Sequence, residues 1–268
     1  MSDQAPSSTT LVLLHGLGAN RHVWDGVAEL WVGDVYAPDL RGHGDAPWRT
    51  PYTFGAMAAD VAEVLQREYS GAPYAVVGHS MGGAVGLALA SGWFGPPPVG
   101  AATVGVKLRW SNEELARMPD LAARPPRLFD DRAGAVEWFL KLSGLFGVVD
   151  TDDPRVAAAI AAGATMDPDQ SDRWRTAQDP ATIGVGPPDM TGLLPAAKCP
   201  VAMALGELDP LVTAEHHSDL AEAAAANPQA AGVAAPHVFS GLGHNAMVED
   251  PQAVVDWLKT LPALAGAA

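Results

Sequence analysis

Short apolar segments alternate with helix-like segments along most of the chain. The apolar runs are ended by glycine, proline or aspartate, a pattern typical of strands that are buried on both faces. We place these predicted strands at residues 11–14, 34–38, 73–79, 99–106, 200–205 and 236–239. Helical spacing or helix-forming composition predicts helices at residues 20–31, 53–69, 81–93, 213–226 and 251–261. Such alternation predicts right-handed βαβ units and a mainly parallel sheet.

One long stretch interrupts this alternation. From Lys107 to about Ala197 the sequence has helical patterns and no convincing strand. The candidate helices there are residues 112–118, 133–145, 154–164 and 171–177. A helical insertion between two sheet strands is typical of a lid over an α/β core. We call residues 107–197 the predicted cap, and we assign residues 1–106 and 198–268 to the core.

The candidate chemistry lies in the loops that follow predicted strands, where open α/β sheets bind ligands. The segment Gly78-His79-Ser80-Met81-Gly82 fits G-x-S-x-G between a strand and a helix. A sharp strand-to-helix turn strains the backbone of the serine, and side chains at Gly78 and Gly82 would collide with it. We therefore predict that Ser80 is a nucleophile. The amide of Met81 then points at the substrate from a helix N-terminus.

A serine hydroxyl needs a base before it becomes an effective nucleophile. His244 lies in the Gly-rich loop 241–245 after the last predicted strand, and a flexible backbone there can place its imidazole over the serine. A carboxylate should lie between these two residues in the order Ser, acid, His. We favour Asp209, which follows a strand and precedes a proline. Glu207, closer to that strand, stays open as the alternative.

Together these segments resemble the α/β-hydrolase superfamily, and the resemblance covers nearly the whole chain except the predicted cap. The segment His15-Gly16-Leu17-Gly18 is similar to the H-G loop of that family. The resemblance implies that the backbone amides of Leu17 and Met81 form an oxyanion hole. The elbow around Ser80 is similar to those of small capped esterases and lactonases.

A second loop also resembles the family. The segment Asp39-Leu40-Arg41-Gly42-His43-Gly44 is similar to its D-x-R-G-x-G segment, which implies that Arg41 and His43 are structural. One departure concerns the start of the chain. Family members often carry an antiparallel hairpin before the H-G strand, but only fourteen residues precede His15 here. We therefore expect about six or seven strands rather than eight.

The resemblance and the three candidate residues imply a serine hydrolase. It would cleave a carboxylic ester or lactone of a small to medium hydrophobic substrate through an acyl-enzyme on Ser80. Two alternatives stay open. The same residues could perform C–C bond hydrolysis, perhydrolysis or elimination, or the protein could bind ligands without turnover. A serine nucleophile excludes haloalkane dehalogenases and epoxide hydrolases, which need a carboxylate.

Substrate choice is expected to depend on the predicted cap. Its large apolar residues could line a pocket or form a small core of their own. The candidates that we take for substrate contact are Trp110, Trp138, Phe139 and Trp174 of the predicted cap, together with Trp24, which lies just past the H-G loop. Lys107 and Arg109 follow a predicted strand closely, so a substrate carboxylate could pair with one of them. The alternative is that both cations lie on a solvated edge.

Composition narrows the remaining possibilities. Apolar residues make up 48% of the chain and charged residues 18%, a globular composition. The net charge of -15 argues against nucleic acid or anionic membrane as a partner. No apolar stretch is long enough to span a bilayer, and Met1–Thr10 does not resemble a signal peptide. The single cysteine, Cys199, excludes an internal disulfide and fits a reducing compartment.

We therefore expect a cytoplasmic monomer or homodimer that acts on a small molecule. No cofactor is expected, since no G-x-G-x-x-G loop follows a strand. No metal is expected either, because His216 and His217 lack suitably spaced further ligands. We expect these two histidines on a solvated helix surface.

Overall fold

The fold is described by a computed structural model, which covers residues 9–69, 71–230 and 232–265. Its strands are β1 (Thr10–Leu14), β2 (Val35–Tyr36), β3 (Tyr74–His79), β4 (Ala101–Val104), β5 (Ala164–Met166), β6 (Trp174–Thr176), β7 (Val201–Gly206) and β8 (His237–Phe239). Six of them form one parallel sheet in the order β2-β1-β3-β4-β7-β8. This confirms the predicted class and the strand number.

Helices connect the strands and flank the sheet. Their bounds are α1 (Asp25–Leu30), α2 (Phe54–Glu68), α3 (Met81–Ala90), α4 (Asn112–Ala122), α5 (Arg132–Leu142), α6 (Ala157–Gly163), α7 (Met190–Ala196), α8 (Ala214–Ser218), α9 (Ala221–Ala225), α10 (Ala246–Glu249), α11 (Pro251–Thr260) and α12 (Pro262–Ala265). Short 3-10 helices occupy Arg21–Trp24, Pro154–Val156, Pro180–Val185 and Pro228–Ala230.

The core lies on both faces of the sheet, because side chains alternate between the faces of a strand. In β1, Leu11 and Leu13 belong to one buried cluster, together with residues of α1 and α11. Val12 and Leu14 belong to a second buried cluster, together with residues of α2 and α3. Burial on both faces explains why β1 is a continuous apolar run. The Thr53 hydroxyl accepts a hydrogen bond from the amide of Ala56 and caps α2.

The segment between β4 and β7 is mainly helical, as expected, but it also contains a small antiparallel pair. The predicted helix at 171–177 is wrong, since residues 174–176 form β6 and pair with β5. Two three-residue strands are too short to show a period in the sequence. At the other end of the segment, α7 packs against α3 and α9 of the core layer. The exact cap boundary stays a prediction.

The predicted helix at 213–226 is divided into α8 and α9, and this changes the position of His217. The prediction of a solvated His217 is wrong: its side chain is fully buried, with Nδ1 lying 3.2 Å from the carbonyl oxygen of Val233. Burial lowers the pKa of this imidazole. His216 remains partly exposed.

No helix in the described part of the chain combines the length and apolar character that a membrane crossing requires. The prediction that Met1–Thr10 is not a signal peptide falls mostly outside the described residues, which begin at residue 9.

Candidate active site

Ser80 lies at the strained turn between β3 and α3. With φ 49° and ψ -115°, it is the one non-glycine residue of the described ranges that has a positive φ. Its amide donates to the carbonyl oxygen of Val104 at 2.9 Å. A Cβ at Gly78 would lie 2.2 Å from the carbonyl oxygen of Gly82, and a Cβ at Gly82 would lie 2.4 Å from that of Leu14. The turn therefore requires glycine on both sides of the serine.

His244 and Asp209 come together from two loops at the carboxyl end of the sheet. The Nδ1 atom of His244 lies 2.7 Å from Oδ2 of Asp209. The other carboxylate oxygen accepts hydrogen bonds from the amides of Leu211, at 2.8 Å, and Val212, at 3.2 Å. The Asp209 side chain is fully buried. In the neutral imidazole, a carboxylate acceptor in this position favours the tautomer with its proton on Nδ1, which makes Nε2 the acceptor.

Glu207, the alternative acid, has a different place in the structure. Its Oε2 atom accepts hydrogen bonds from the Ser240 hydroxyl and the Gly241 amide, both at 2.8 Å. These hydrogen bonds lower the pKa of the Glu207 carboxyl. Glu207 therefore braces the start of the loop that carries His244, whereas Asp209 contacts the imidazole itself.

A second glutamate, which our sequence reasoning missed, holds the same loop from the other side. One Glu249 oxygen accepts from the Gly243 amide at 2.8 Å, and the other accepts from the Asn245 amide at 3.1 Å. These two amides flank His244 directly. No sequence motif marks Glu249, because the contact depends on how the loop turns before α10.

Two further neighbours fix the position of His244. The Nε2 atom of His79 donates to the carbonyl oxygen of His244 at 3.0 Å, and the two ring centroids are 4.6 Å apart. Burial lowers the pKa of His79 well below its ordinary value, so this ring is neutral. Gly105 has φ 65°, and a Cβ there would lie 3.1 Å from Nδ1 of His244. A side chain at position 105 would therefore disturb the contact with Asp209.

The predicted oxyanion donors, Leu17 and Met81, line the same cavity as Ser80. Met81 is the first residue of α3, so its amide has no acceptor within the helix. Neither amide donates a hydrogen bond to another of the described residues. Both N–H groups are therefore available to a bound oxygen atom.

The two loops that resemble family motifs hold each other in place. His43 is fully buried, and its Nε2 atom accepts from the amide of Gly18 at 3.2 Å. Its ring lies 5.1 Å from that of His15, and burial lowers the pKa of His43 to about 3. Arg41 makes two hydrogen bonds of 2.5 Å to the Asp60 carboxylate. These contacts support the loop behind Leu17.

A cavity of about 290 Å³ opens beside Ser80. Core residues line one side of it and residues of the predicted cap line the other. The lining residues are Leu17, Phe54, His79, Ser80, Met81, Ala84, Val106, Lys107, Trp110, Lys141, Leu142, Ser143, Gly144, Val185, Gly186, Pro188, Leu211 and His244. Most of these side chains are apolar, so the cavity suits an apolar group next to the serine.

Of the five residues predicted to contact substrate, only Trp110 lines this cavity. The prediction is wrong for Trp24 and Phe139, which are 0% and 2% exposed and belong to the core. Trp138 and Trp174 are partly exposed and do not line this cavity, so their contact with substrate stays a prediction. The Cζ atom of Arg127 lies 4.7 Å from the centroid of the Trp138 ring, and that of Arg132 lies 6.0 Å from the centroid of the Trp174 ring.

The predicted cap is attached to the His244 loop by a buried side chain. The Asn245 amide group donates to the carbonyl oxygens of Ser143, at 3.3 Å, and Gly144, at 3.0 Å. Both acceptors line the cavity. Asn245 therefore couples the cavity wall to the loop of the candidate base.

Among the described residues, no group of three or more His, Cys, Asp or Glu side chains is placed to hold a metal ion. Cys199 is buried and is one of the residues of the second core cluster. Burial raises the pKa of its thiol to about 11, which keeps it protonated and poorly reactive.

Comparison with known sequences identifies the class of protein. A sequence profile described as "Alpha/beta hydrolase family" matches residues 11–257. The chain therefore belongs to the alpha/beta hydrolase family, as the sequence motifs predicted.

Individual relatives match over shorter stretches. Lipase LipV of Mycobacterium tuberculosis is 41% identical over 88 residues, which cover 32% of this chain and 33% of that protein. Protein phosphatase methylesterase 1 of Pongo abelii is 32% identical over 139 residues, covering 49% of this chain and 36% of that protein. The matched parts thus span about a third of each relative.

A solved structure matches over nearly the full length. The crystal structure of an esterase from Mycobacterium tuberculosis superimposes with a TM-score of 0.68 at 21% sequence identity. The match covers 96% of this chain and 88% of that one. At this identity the likeness shows a shared fold.

Proposed function

We propose that this protein is a serine hydrolase that cleaves carboxylic esters through an acyl-enzyme on Ser80. One observation carries the proposal: a serine in a strained turn lines the same cavity as an imidazole whose Nδ1 is held by a buried carboxylate. A catalytically silent binding protein has no use for this combination. The relatives described as a lipase and a methylesterase support ester hydrolysis.

In the proposed reaction His244 acts first as a base. Its Nε2 atom takes the proton of the Ser80 hydroxyl as the serine oxygen attacks the ester carbonyl carbon. The amides of Leu17 and Met81 donate to the oxyanion that forms. Loss of one such donor costs about 3 kcal/mol in related chemistry. Asp209 stabilises the imidazolium.

The tetrahedral intermediate then collapses. The bond to the alcohol oxygen breaks, and the alcohol leaves with the proton from His244. Water next attacks the acyl-enzyme, giving a proton to His244, and the acid leaves as Ser80 recovers its proton. A lactone would follow the same course, with the alcohol remaining attached to the acyl group.

The cavity supports a small to medium hydrophobic substrate. Its volume of about 290 Å³ is at the low end of ligand pockets, which span about 300–1,000 Å³. Apolar side chains from both the core and the predicted cap surround the serine. The proposed specificity is therefore for short to medium acyl chains.

The test is a panel of p-nitrophenyl esters of increasing acyl length, with lactones of matched size. We expect turnover of short and medium esters and its loss in Ser80→Ala. Ser218→Ala is the matched control, because Ser218 is exposed on α8 and, among the described residues, its hydroxyl donates only to the carbonyl oxygen of Glu215. Activity that survives in a folded Ser80→Ala variant would show that the nucleophile is assigned wrongly.

A further inference from the structure

The charged side chains that line the cavity beside Ser80 are lysines, although the chain as a whole is acidic. The chain contains 31 Asp and Glu residues against 16 Lys and Arg residues. The lining residues nevertheless include two lysines, Lys107 and Lys141, and no carboxylate from the described part of the chain. A wall of two cations and many apolar groups is unexpected in a protein with a net charge of -15.

The two lysines reach the cavity from separate elements. Lys107 follows β4 and is largely enclosed, with a side chain 17% exposed and Nζ 4.6 Å from the centroid of the Trp110 ring. Lys141 lies in the last turn of α5, and its Nζ lies 4.8 Å from the centroid of the Phe146 ring. Of the two, only Lys107 could be proposed from the sequence, because which side of α5 faces the cavity depends on packing.

Each lysine already has an acidic partner outside the cavity. Lys107 pairs with Glu114, and Lys141 pairs with Glu137 one turn earlier on α5. Both glutamates are about half exposed and neither lines the cavity. An exposed ion pair contributes little and exchanges readily, and an ammonium group has three N–H donors. A lysine that lines the cavity and pairs with one glutamate therefore keeps N–H donors for a second anion.

Arg109 provides a contrast with the two lysines that line the cavity. It lies two residues from Lys107, but it pairs with Asp219 at 2.7 Å and does not line the cavity. Its side chain is 48% exposed, against 17% for Lys107 and 41% for Lys141, so Arg109 differs from Lys141 by its place outside the cavity lining and not by its exposure. The alternative raised from the sequence, a solvated edge, thus describes Arg109 and not Lys107.

We infer that the substrate carries a carboxylate remote from the ester bond, and that Lys107 and Lys141 bind this carboxylate. The apolar wall of the cavity holds the carbon chain that joins the carboxylate to the ester. Such an anion would otherwise be repelled by the acidic chain, so a local cation pair is needed to admit it. This inference rests on the proposed esterase function and adds the class of substrate.

The test compares matched esters in the wild-type protein. One series consists of mono-p-nitrophenyl esters of linear dicarboxylic acids, and the other of p-nitrophenyl esters of fatty acids of equal length. A third probe, the acetate ester of a hydroxyphenyl carboxylic acid, places the anion on the alcohol side. We expect a higher kcat/KM for the anionic member of at least one matched pair, mainly through a lower KM, and a decline of this preference with ionic strength.

The variants Lys107→Met and Lys141→Met keep side-chain length but remove the charge. The readout is the ratio of anionic to neutral kcat/KM within each variant, so a general loss of activity cancels. We expect the ratio to fall at least about tenfold per lysine, through the loss of one hydrogen bond to a charged group. Lys141→Arg keeps the positive charge and should retain most of the wild-type ratio. Arg109→Met should leave the ratio at the wild-type value.

The possible outcomes separate the two proposals. If neutral and anionic esters are turned over with equal kcat/KM, this inference is overturned and the esterase proposal stays intact. The same holds if the preference for anionic esters persists in both methionine variants. A complete absence of ester turnover would count against the esterase proposal itself.

Discussion

The substitution Asp209→Asn examines the link between the buried carboxylate and the imidazole. Asparagine has the shape of aspartate, but one of its two terminal groups donates hydrogen bonds instead of accepting them. The native carboxylate accepts three: two from the amides of Leu211 and Val212 and one from Nδ1 of His244. The orientation of the new amide decides which contacts survive.

Only one orientation keeps all three hydrogen bonds. The asparagine oxygen must face the two backbone amides, and its NH2 group must then face Nδ1 of His244. This forces the imidazole proton onto Nε2, so the base can no longer accept the proton of Ser80. The opposite orientation would leave two backbone donors without an acceptor, which costs about 1–3 kcal/mol each. We therefore expect a folded protein with the wrong histidine tautomer.

The expected loss in kcat is about 10,000-fold, the size of the effect in serine enzymes where the tautomer is inverted, equivalent to about 5.5 kcal/mol. The assay is initial-rate hydrolysis of a short p-nitrophenyl ester, with circular dichroism melting as the check on folding. Glu207→Gln is the matched control from the same loop, and its kcat should fall less than about tenfold, because Glu207 contacts Ser240 and Gly241 but not the imidazole. A small loss in Asp209→Asn together with a large loss in Glu207→Gln would refute the assignment.

Three further predictions concern the surroundings of the site. Gly82→Ala should destabilise the fold by about 3 kcal/mol or more, since its Cβ would meet backbone carbonyls, whereas Gly232→Ala, with open space around it, should be close to neutral in urea unfolding. In Glu249→Gln the side chain offers one acceptor oxygen instead of two to the amides beside His244. We therefore expect kcat to fall about tenfold with little change in KM. An unchanged kcat would contradict the proposal that Glu249 holds the His244 loop. His43 has a pKa of about 3 in the folded protein against an ordinary 6.5. As the pH falls, the unfolded chain therefore binds a proton on this histidine before the folded protein does. Stability should therefore fall as the pH drops through this window, by about 1.4 kcal/mol per unit for this group, and His43→Gln should show a shallower fall in urea titrations.

The catalytic loops could be predicted from the sequence because their constraints are local. Steric crowding at the elbow requires small residues at fixed offsets from Ser80, so the motif is visible within a few positions. Strand ends are also visible, since buried parallel strands are continuous apolar runs. The loop that carries Asp209 follows such a strand, β7. The strand before the His244 loop, β8, is short and half exposed, so His244 was selected from the Gly-rich sequence of its loop.

The cavity wall could not be predicted in the same way. Which side of α5 faces Ser80 depends on how the segment between β4 and β7 packs, and the sequence of an isolated helix does not contain that information. Phe139 therefore lies in the core while Lys141 and Leu142 line the cavity. Glu249 was missed for a related reason, since its partners are backbone N–H groups, which every residue type except proline provides.

Covalent labelling of the intact protein with a fluorophosphonate tests the central claim most directly. The probe reacts with a serine only where a base and an oxyanion hole activate it. We predict one adduct per chain, located on Ser80 by peptide mass spectrometry, and no adduct in a folded Ser80→Ala variant. An unlabelled wild-type protein, or a label on another serine, would contradict the account.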